Sequence, residues 1–150
     1  MYFDKSGNLQ KTNVVIVCGP PASGKTTYVK QKMKTGDCVV DLDYIKSSIS
    51  MRGKTETTDN LLVTALKIRD FLYSEIEADK IQAPTVWIIA GLPLEKDRVN
   101  MQARFNADIV CLDVPKETCL ERAMLDNERK DKKRQIEVID KYFVKRTWNY

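Results

Sequence analysis

Four short runs along the chain are apolar at successive positions rather than at alternate ones: residues 14–18, 39–42, 85–90 and 109–112. They are rich in Val and Ile. A strand with one wet face would alternate apolar and polar, so this pattern marks strands of a parallel sheet covered on both sides. Between the runs the periodicity changes to that of helices, over residues 26–33, 44–51, 60–80, 95–105, 116–128 and 136–148. The longest places Leu61, Ala65, Ile68, Leu72 and Ile76 on one face. Strands alternating with helices predict an α/β fold of three layers, with a short parallel sheet, right-handed crossovers and helices on both faces. Ligands of such sheets bind at the carboxyl ends of the strands. No repeat, low-complexity tract or linker divides residues 1–150, which read as one domain. The polar, aperiodic stretch 52–59 reads as the most mobile loop.

Composition narrows the chemistry. The chain is 43% hydrophobic and 31% charged, enough for a core and a solvated surface, with a net charge of +4 that suits a small anionic ligand better than extended nucleic-acid wrapping. There is no histidine, which removes His-based acid–base catalysis, Ser-His-Asp triads and most zinc sites together. Catalysis must therefore use carboxylates, Lys, Arg, hydroxyls or a metal. Cys18, Cys38, Cys111 and Cys119 form no C-x-x-C pair, and the first three lie in or beside apolar runs, where a thiol serves as a small buried hydrophobe. That pattern argues against a disulfide framework or zinc site and for a reducing, cytoplasmic setting. No apolar run approaches the roughly 20 residues of a membrane span, and the polar start of the chain lacks the apolar core of a signal peptide.

The sharpest motif follows the first strand. Gly19-Pro20-Pro21-Ala22-Ser23-Gly24-Lys25-Thr26 fits G-x-x-x-x-G-K-[ST] at every fixed position, with a strand before it and a helix, opening on Thr26 and Thr27, after it. Gly19 and Gly24 let the backbone curl so that successive N–H groups face one concavity, and the helix N-terminus adds its dipole. Lys25 supplies a positive charge to the β- and γ-phosphates of ATP or GTP, and the Thr26 hydroxyl is a ligand for Mg²⁺.

Asp41-Leu42-Asp43 ends the second strand beside this cradle. Asp43 has two readings: a helix N-cap, with Asp41 an ordinary strand-end carboxylate, or a base that accepts the proton of an attacking hydroxyl. Late in the chain, Arg129-Lys130-Asp131-Lys132-Lys133-Arg134 packs five basic residues around one acid. The run reads either as a solvated turn between helices or as a lid that closes over phosphates. Arg122 and Arg129 fall at helical spacing, on one face if one helix carries both. Arg98 and Arg104 read as surface residues of their helix.

Taken in order, the cradle, Asp43-x-x-Lys46-Ser47-Ser48-Ile49, Asp113-Val114-Pro115, Leu120-Glu121-Arg122 and Ile136-x-Val138-Ile139-x-x-Tyr142 resemble the 5′-kinase domain of bacteriophage polynucleotide kinase, over nearly the whole chain. They also look like the small P-loop kinases and ATPases of phage and prophage genomes. The resemblance implies a nucleotide-kinase-like P-loop fold in which Asp43 is the general base and Arg122 a lid arginine. Arg129 lies farther from Arg122 than the family's second lid arginine does from the first. Lys46 stands where the family has an arginine that binds acceptor, and lysine cannot form the same bidentate fork. Ala90-Gly91-Leu92-Pro93 after the third strand holds no acid where the family has one, so a carboxylate for Mg²⁺ must come from Asp41 or Asp113.

The expectation is transfer of the γ-phosphoryl group of a nucleoside triphosphate to a nucleotide or nucleic-acid 5′ hydroxyl, with Lys25, Asp43, Arg122 and Arg129 as catalytic residues, Thr26 and Asp41 at the metal, and Asp43 and Lys46 at the acceptor. A small-molecule kinase and an ATP-binding partner module of a phage or replication system are the alternatives.

Overall fold

A computed structural model describes residues 1–148. The elements in chain order are β1 (Tyr2–Phe3), β2 (Leu9–Gln10), β3 (Asn13–Cys18), α1 (Lys25–Lys32), β4 (Cys38–Asp41), α2 (Leu42–Ser50), a 3-10 turn (Asp59–Leu61), α3 (Leu62–Glu77), β5 (Thr85–Ala90), α4 (Glu95–Phe105), β6 (Asp108–Cys111), α5 (Lys116–Leu125) and α6 (Lys132–Arg146). The four predicted strands are β3, β4, β5 and β6. They form one parallel sheet in the order β4-β5-β3-β6. The strand that delivers the cradle is thus central, flanked by β5 and β6.

Side-chain alternation along these strands builds the three layers. Ile16, Val40, Val86 and Ile88 point to one face, where Tyr73 and Ile76 of α3 and Phe105 of α4 cover them. Val17, Trp87 and Ile89 point to the other, against Val29 of α1. A third cluster joins α5 and α6 through Cys119, Ala123 and Ile139, with Ala22 of the cradle against it. Both sets of strand positions are apolar because both faces are covered. No helix among the described residues is long and apolar enough to cross a membrane.

Several element ends differ from the sequence expectation. β4 runs into α2 without a loop, so Leu42 belongs to the helix. α5 stops at Leu125, because the Asp126 side chain accepts the Glu128 N–H at 3.0 Å and turns the backbone out of the helix. α6 starts early, at Lys132, because the Asp131 side chain caps it by accepting the Arg134 N–H. Arg122 and Arg129 therefore do not share a helix. The small N-terminal hairpin β1–β2 has two-residue strands, too short for any period to mark.

Arg98 is not a surface residue. It is 4% exposed and donates to Leu92 O at 2.9 Å, Asp113 Oδ1 at 3.1 Å and Tyr142 Oη at 3.1 Å, tying β5's exit to β6's exit and α6. Replacing it with alanine strands these acceptors, so Arg98→Ala is expected to lower the free energy of unfolding by about 3 kcal/mol, measured by urea denaturation. Arg104 is exposed and pairs with Glu77, as a surface residue does.

Candidate functional site

The carboxyl ends of β3, β4 and β5 open into a cleft of about 1070 Å³. Eight basic side chains line it against four acidic ones, which favours an anionic occupant. The cradle forms its floor. Gly19 has φ +150, and a Cβ there would stand 2.6 Å from Leu112 O and 2.9 Å from Ser23 Oγ, so the motif's first glycine is required by close approach. The Gly19 N–H donates to Gly91 O at 3.1 Å, which draws the loop against β5. Ala22 and Gly24 have φ of 63 and 93, so the loop curls through left-handed conformations into α1. Among the described residues the Ser23 Oγ, buried within the cradle, has no hydrogen-bond partner.

The Lys25 Nζ folds back on its own loop and donates to Gly19 O and Pro20 O, both at 2.8 Å. Burial pulls its ammonium down to about 8, with Asp41 opposing the shift and Lys54 and Arg129 adding to it. The folded chain therefore holds this charge at a cost below pH 8, and the cost fades as pH rises toward the unfolded value near 10.5. Lys25→Met is expected to melt at a higher temperature than the wild type below pH 8, with the difference shrinking between pH 8 and 10. Comparing the two melting curves cancels the opposing effect of the thiols and tyrosines.

Asp41 and Asp43 divide the neighbouring corner. Asp41, not Asp43, holds the N-cap position of α2, and its side chain makes no cap hydrogen bond. Asp41 is 6% exposed, and among the described residues its Oδ2 has no hydrogen-bond partner. Burial raises its carboxyl above the usual range, with Lys54 opposing. Asp43 lies in the first turn of α2 and lines the cleft. Among the described residues it has no side-chain hydrogen bond or ion pair.

Lys54, from the stretch 52–59, stands between the two expected metal ligands. Its Nζ donates to Thr26 Oγ1 at 2.6 Å, lies 3.8 Å from Asp41 Oδ2, and sits 5.2 Å from the Tyr44 ring centre. A cation thus already lies between two hard oxygen donors, one of them buried without a hydrogen bond. That donor set fits Mg²⁺ bound through one carboxylate, one hydroxyl, water and substrate phosphates. There is no cluster of three or more His, Cys, Asp or Glu among the described residues, so phosphate oxygens would have to complete the shell. Asp113 is not part of this corner, being engaged by Arg98 and Arg146.

Arg122 reaches the back of the cradle, donating from Nη1 to Ser23 O at 3.2 Å. Arg129 lies in the loop after α5, held by Asp126 Oδ2 at 3.2 Å and Gln135 Oε1 at 2.6 Å, and also lines the cleft. The basic run is not a freely solvated turn. Lys132 caps α5 through Ala123 O and Asp126 O, Lys130 pairs with Glu56 at 3.1 Å, and Arg134 pairs with Asp59 at 2.9 Å. With a hydrogen bond from Thr55 Oγ1 to Glu128 O, these contacts dock the stretch 52–59 onto the basic segment across the cleft. Lys46 is not brought to the cleft. It is 8% exposed on α2 and does not line the cavity.

Lys54 and Arg69 were not legible as site residues. Arg69 of α3 lines the cleft with its guanidinium 5.2 Å from the Tyr73 ring centre; its Nη2 lies 3.4 Å from Asp70 Oδ1, and among the described residues its buried Nε has no hydrogen-bond partner. Each belongs to a segment distant in sequence from the cradle, and no motif marks either.

No curated protein matches the sequence. Solved structures share the fold. A chain of the AvrRxo1-ORF1:AvrRxo1-ORF2 structure with sulphate ions superposes at a TM-score of 0.60 and 14% identity, over 91% of this chain and 47% of that one. A chain of the Pnkp1/Rnl/Hen1 RNA repair complex gives 0.56 and 17%, over 95% and 49%. The chain therefore spans about half the length of each. Shikimate kinase from Acinetobacter baumannii, in complex with shikimate, gives 0.52 and 15%, over 93% of this chain and 83% of that one. These superpositions show the fold, a three-layer α/β/α arrangement of the P-loop type. A model of the AAA domain matches residues 14–143, from the strand that delivers the cradle to the helix that closes behind it, and the chain belongs to that AAA domain family.

Proposed function

We propose that residues 1–150 form one P-loop phosphotransferase domain, which moves the γ-phosphoryl group of ATP to a hydroxyl acceptor, most directly a nucleotide or a nucleic-acid 5′ end. The observation that carries this reading is the division of labour between two carboxylates two residues apart. Asp41 turns toward Thr26 and Lys54, whereas Asp43 lines the same cleft with no side-chain hydrogen bond or ion pair among the described residues. A carboxylate free of hydrogen bonds and ion pairs beside the phosphate site can take the proton of an attacking hydroxyl; the same group could orient water, so the acceptor assay below decides between transfer and hydrolysis.

In this reading the cradle N–H groups and Lys25 hold the phosphates, and Thr26 and Asp41 hold Mg²⁺. The ion, when bound, offsets negative charge on the β- and γ-phosphates. Lys54 then moves off the Thr26–Asp41 pair. Asp43 accepts the acceptor's proton, and Arg122, with Arg129 beside it, faces the charge on the transferring group. Arg69 brings a guanidinium, paired with Asp70, to the cleft wall and favours an acceptor that carries an anion of its own. Lys46 is not assigned to the acceptor.

Incubation with γ-labelled ATP or GTP and a panel of 5′-hydroxyl oligonucleotides, nucleosides, nucleoside monophosphates and small hydroxy acids tests the reading, with Lys25→Ala as control. The hydroxy acids are included because the shikimate kinase neighbour was solved with shikimate. Label is expected on one acceptor class. ATP bound, with no label on any acceptor, overturns transfer in favour of an ATP-binding partner module.

A further inference from the structure

Cys18 and Cys111 play no part in the proposed chemistry, yet they meet directly under the cradle. They are register partners at the end of the β3–β6 ladder, and the Cys18 thiol donates to Cys111 Sγ at 3.2 Å. Paired strands run about 4.8 Å apart, which falls within the roughly 4.4–6.8 Å between Cα atoms that a disulfide spans. Only one of the two is reachable from outside. Cys18 is fully buried, whereas Cys111 is exposed because β6 is an edge strand; the apolar run around it had suggested burial. Cys38 lies on β4, at the opposite edge of the sheet, and Cys119 is buried between α5 and α6. Neither competes for this pairing.

We propose that Cys18 and Cys111 form a reversible disulfide site, oxidised by low-molecular-weight disulfides, and that closing the bond weakens phosphate binding in the adjoining cradle. The exposed Cys111 thiolate attacks the small disulfide, forming a mixed disulfide and releasing one small thiolate. The neighbouring Cys18 sulfur then attacks Cys111 Sγ. The S–S bond to the small molecule breaks, and the leaving thiolate takes up the Cys18 proton. The protein dithiol is oxidised by two electrons and one small disulfide is reduced to two thiols.

The coupling follows from how little space separates the two strand ends. A bonded S–S distance is about 2.05 Å, so closure draws the sulfurs together by about 1 Å. Directly above, Leu112 N donates to Cys18 O at 2.8 Å, and Leu112 O already occupies the space a Gly19 side chain would need. Movement of Cys111 and Leu112 toward β3 presses on Gly19, whose carbonyl also holds Lys25. This second half of the proposal rests on the cradle being a nucleotide site; the disulfide itself does not.

The test uses the full chain in glutathione buffers of increasing oxidised fraction, read by non-reducing peptide mass spectrometry, with ADP affinity measured on the reduced and oxidised forms. A Cys18–Cys111 cross-linked peptide is expected, absent in Cys111→Ser, with ADP binding about tenfold weaker in the oxidised form and restored by dithiothreitol. Linkage requires saturating ADP to oppose the cross-link by the same factor. A stable glutathione adduct on Cys111 without a cross-link overturns the disulfide site. A cross-link with unchanged ADP affinity overturns the coupling. ADP binding by neither form overturns the nucleotide-site reading, and the coupling with it, while the cross-link still decides the disulfide.

Discussion

Lys25→Ala is expected to reduce phosphoryl transfer by at least about a hundredfold while leaving the chain folded and no less heat-stable than the wild type. The two halves of this expectation have one origin. In the fold the Lys25 ammonium is buried, and its hydrogen bonds among the described residues go to its own loop's carbonyls, Gly19 O and Pro20 O. It contributes little to the stability of that state, and burial already disfavours its charge. A triphosphate brings anionic oxygens into direct contact with the ammonium, so that interaction appears only on binding and grows as charge shifts during transfer. Labelled-ATP assays and calorimetric melts on the same preparation check both halves. Loss of transfer with a fall of many degrees in melting temperature would instead make Lys25 a structural residue. Unchanged transfer would remove the cradle from the mechanism.

What could be read from the sequence was what local pattern encodes. The sheet strands were legible because β3, β4 and β5 are apolar on both faces, and the cradle because its glycines and Lys-Thr are contiguous. The ends of α5 and α6 were not, because Asp126 and Asp131 set them through side-chain hydrogen bonds that leave no apolar period. The expected shared face of Arg122 and Arg129 failed for that reason. Arg98 looks like any charged helix residue until Asp113 and Tyr142, 15 and 44 residues away in sequence, are placed beside it. Lys54 meets Thr26 across 28 residues, from a stretch whose polar composition pointed to mobility. That same stretch is docked through Glu56, Asp59 and Thr55 onto the basic segment. Lys46 is the converse case. A resemblance at one position of α2 assigned it to an acceptor, and in the fold it is buried and does not line the cleft.

The second large effect separates the two carboxylates. Asp43→Asn is expected to keep ATP affinity within about twofold and to lower transfer by about 10²- to 10⁴-fold, the range of a lost general base. Asparagine keeps the shape and the polar contact but cannot take the acceptor's proton. Its effect on the fold is small, because an acid in the first turn of a helix adds only about 0.5 kcal/mol. Asp41→Asn should behave differently. Asp41 is buried beside Thr26 and Lys54, so its loss should show first as a higher Mg²⁺ requirement. Titrating Mg²⁺ at saturating ATP and acceptor in both variants distinguishes the roles: excess metal should recover part of the activity of Asp41→Asn and none of that of Asp43→Asn. If transfer persists in Asp43→Asn, the base is not Asp43. Asp41 would then be the remaining carboxylate at the end of β4, and the division of labour between the two would have to be abandoned.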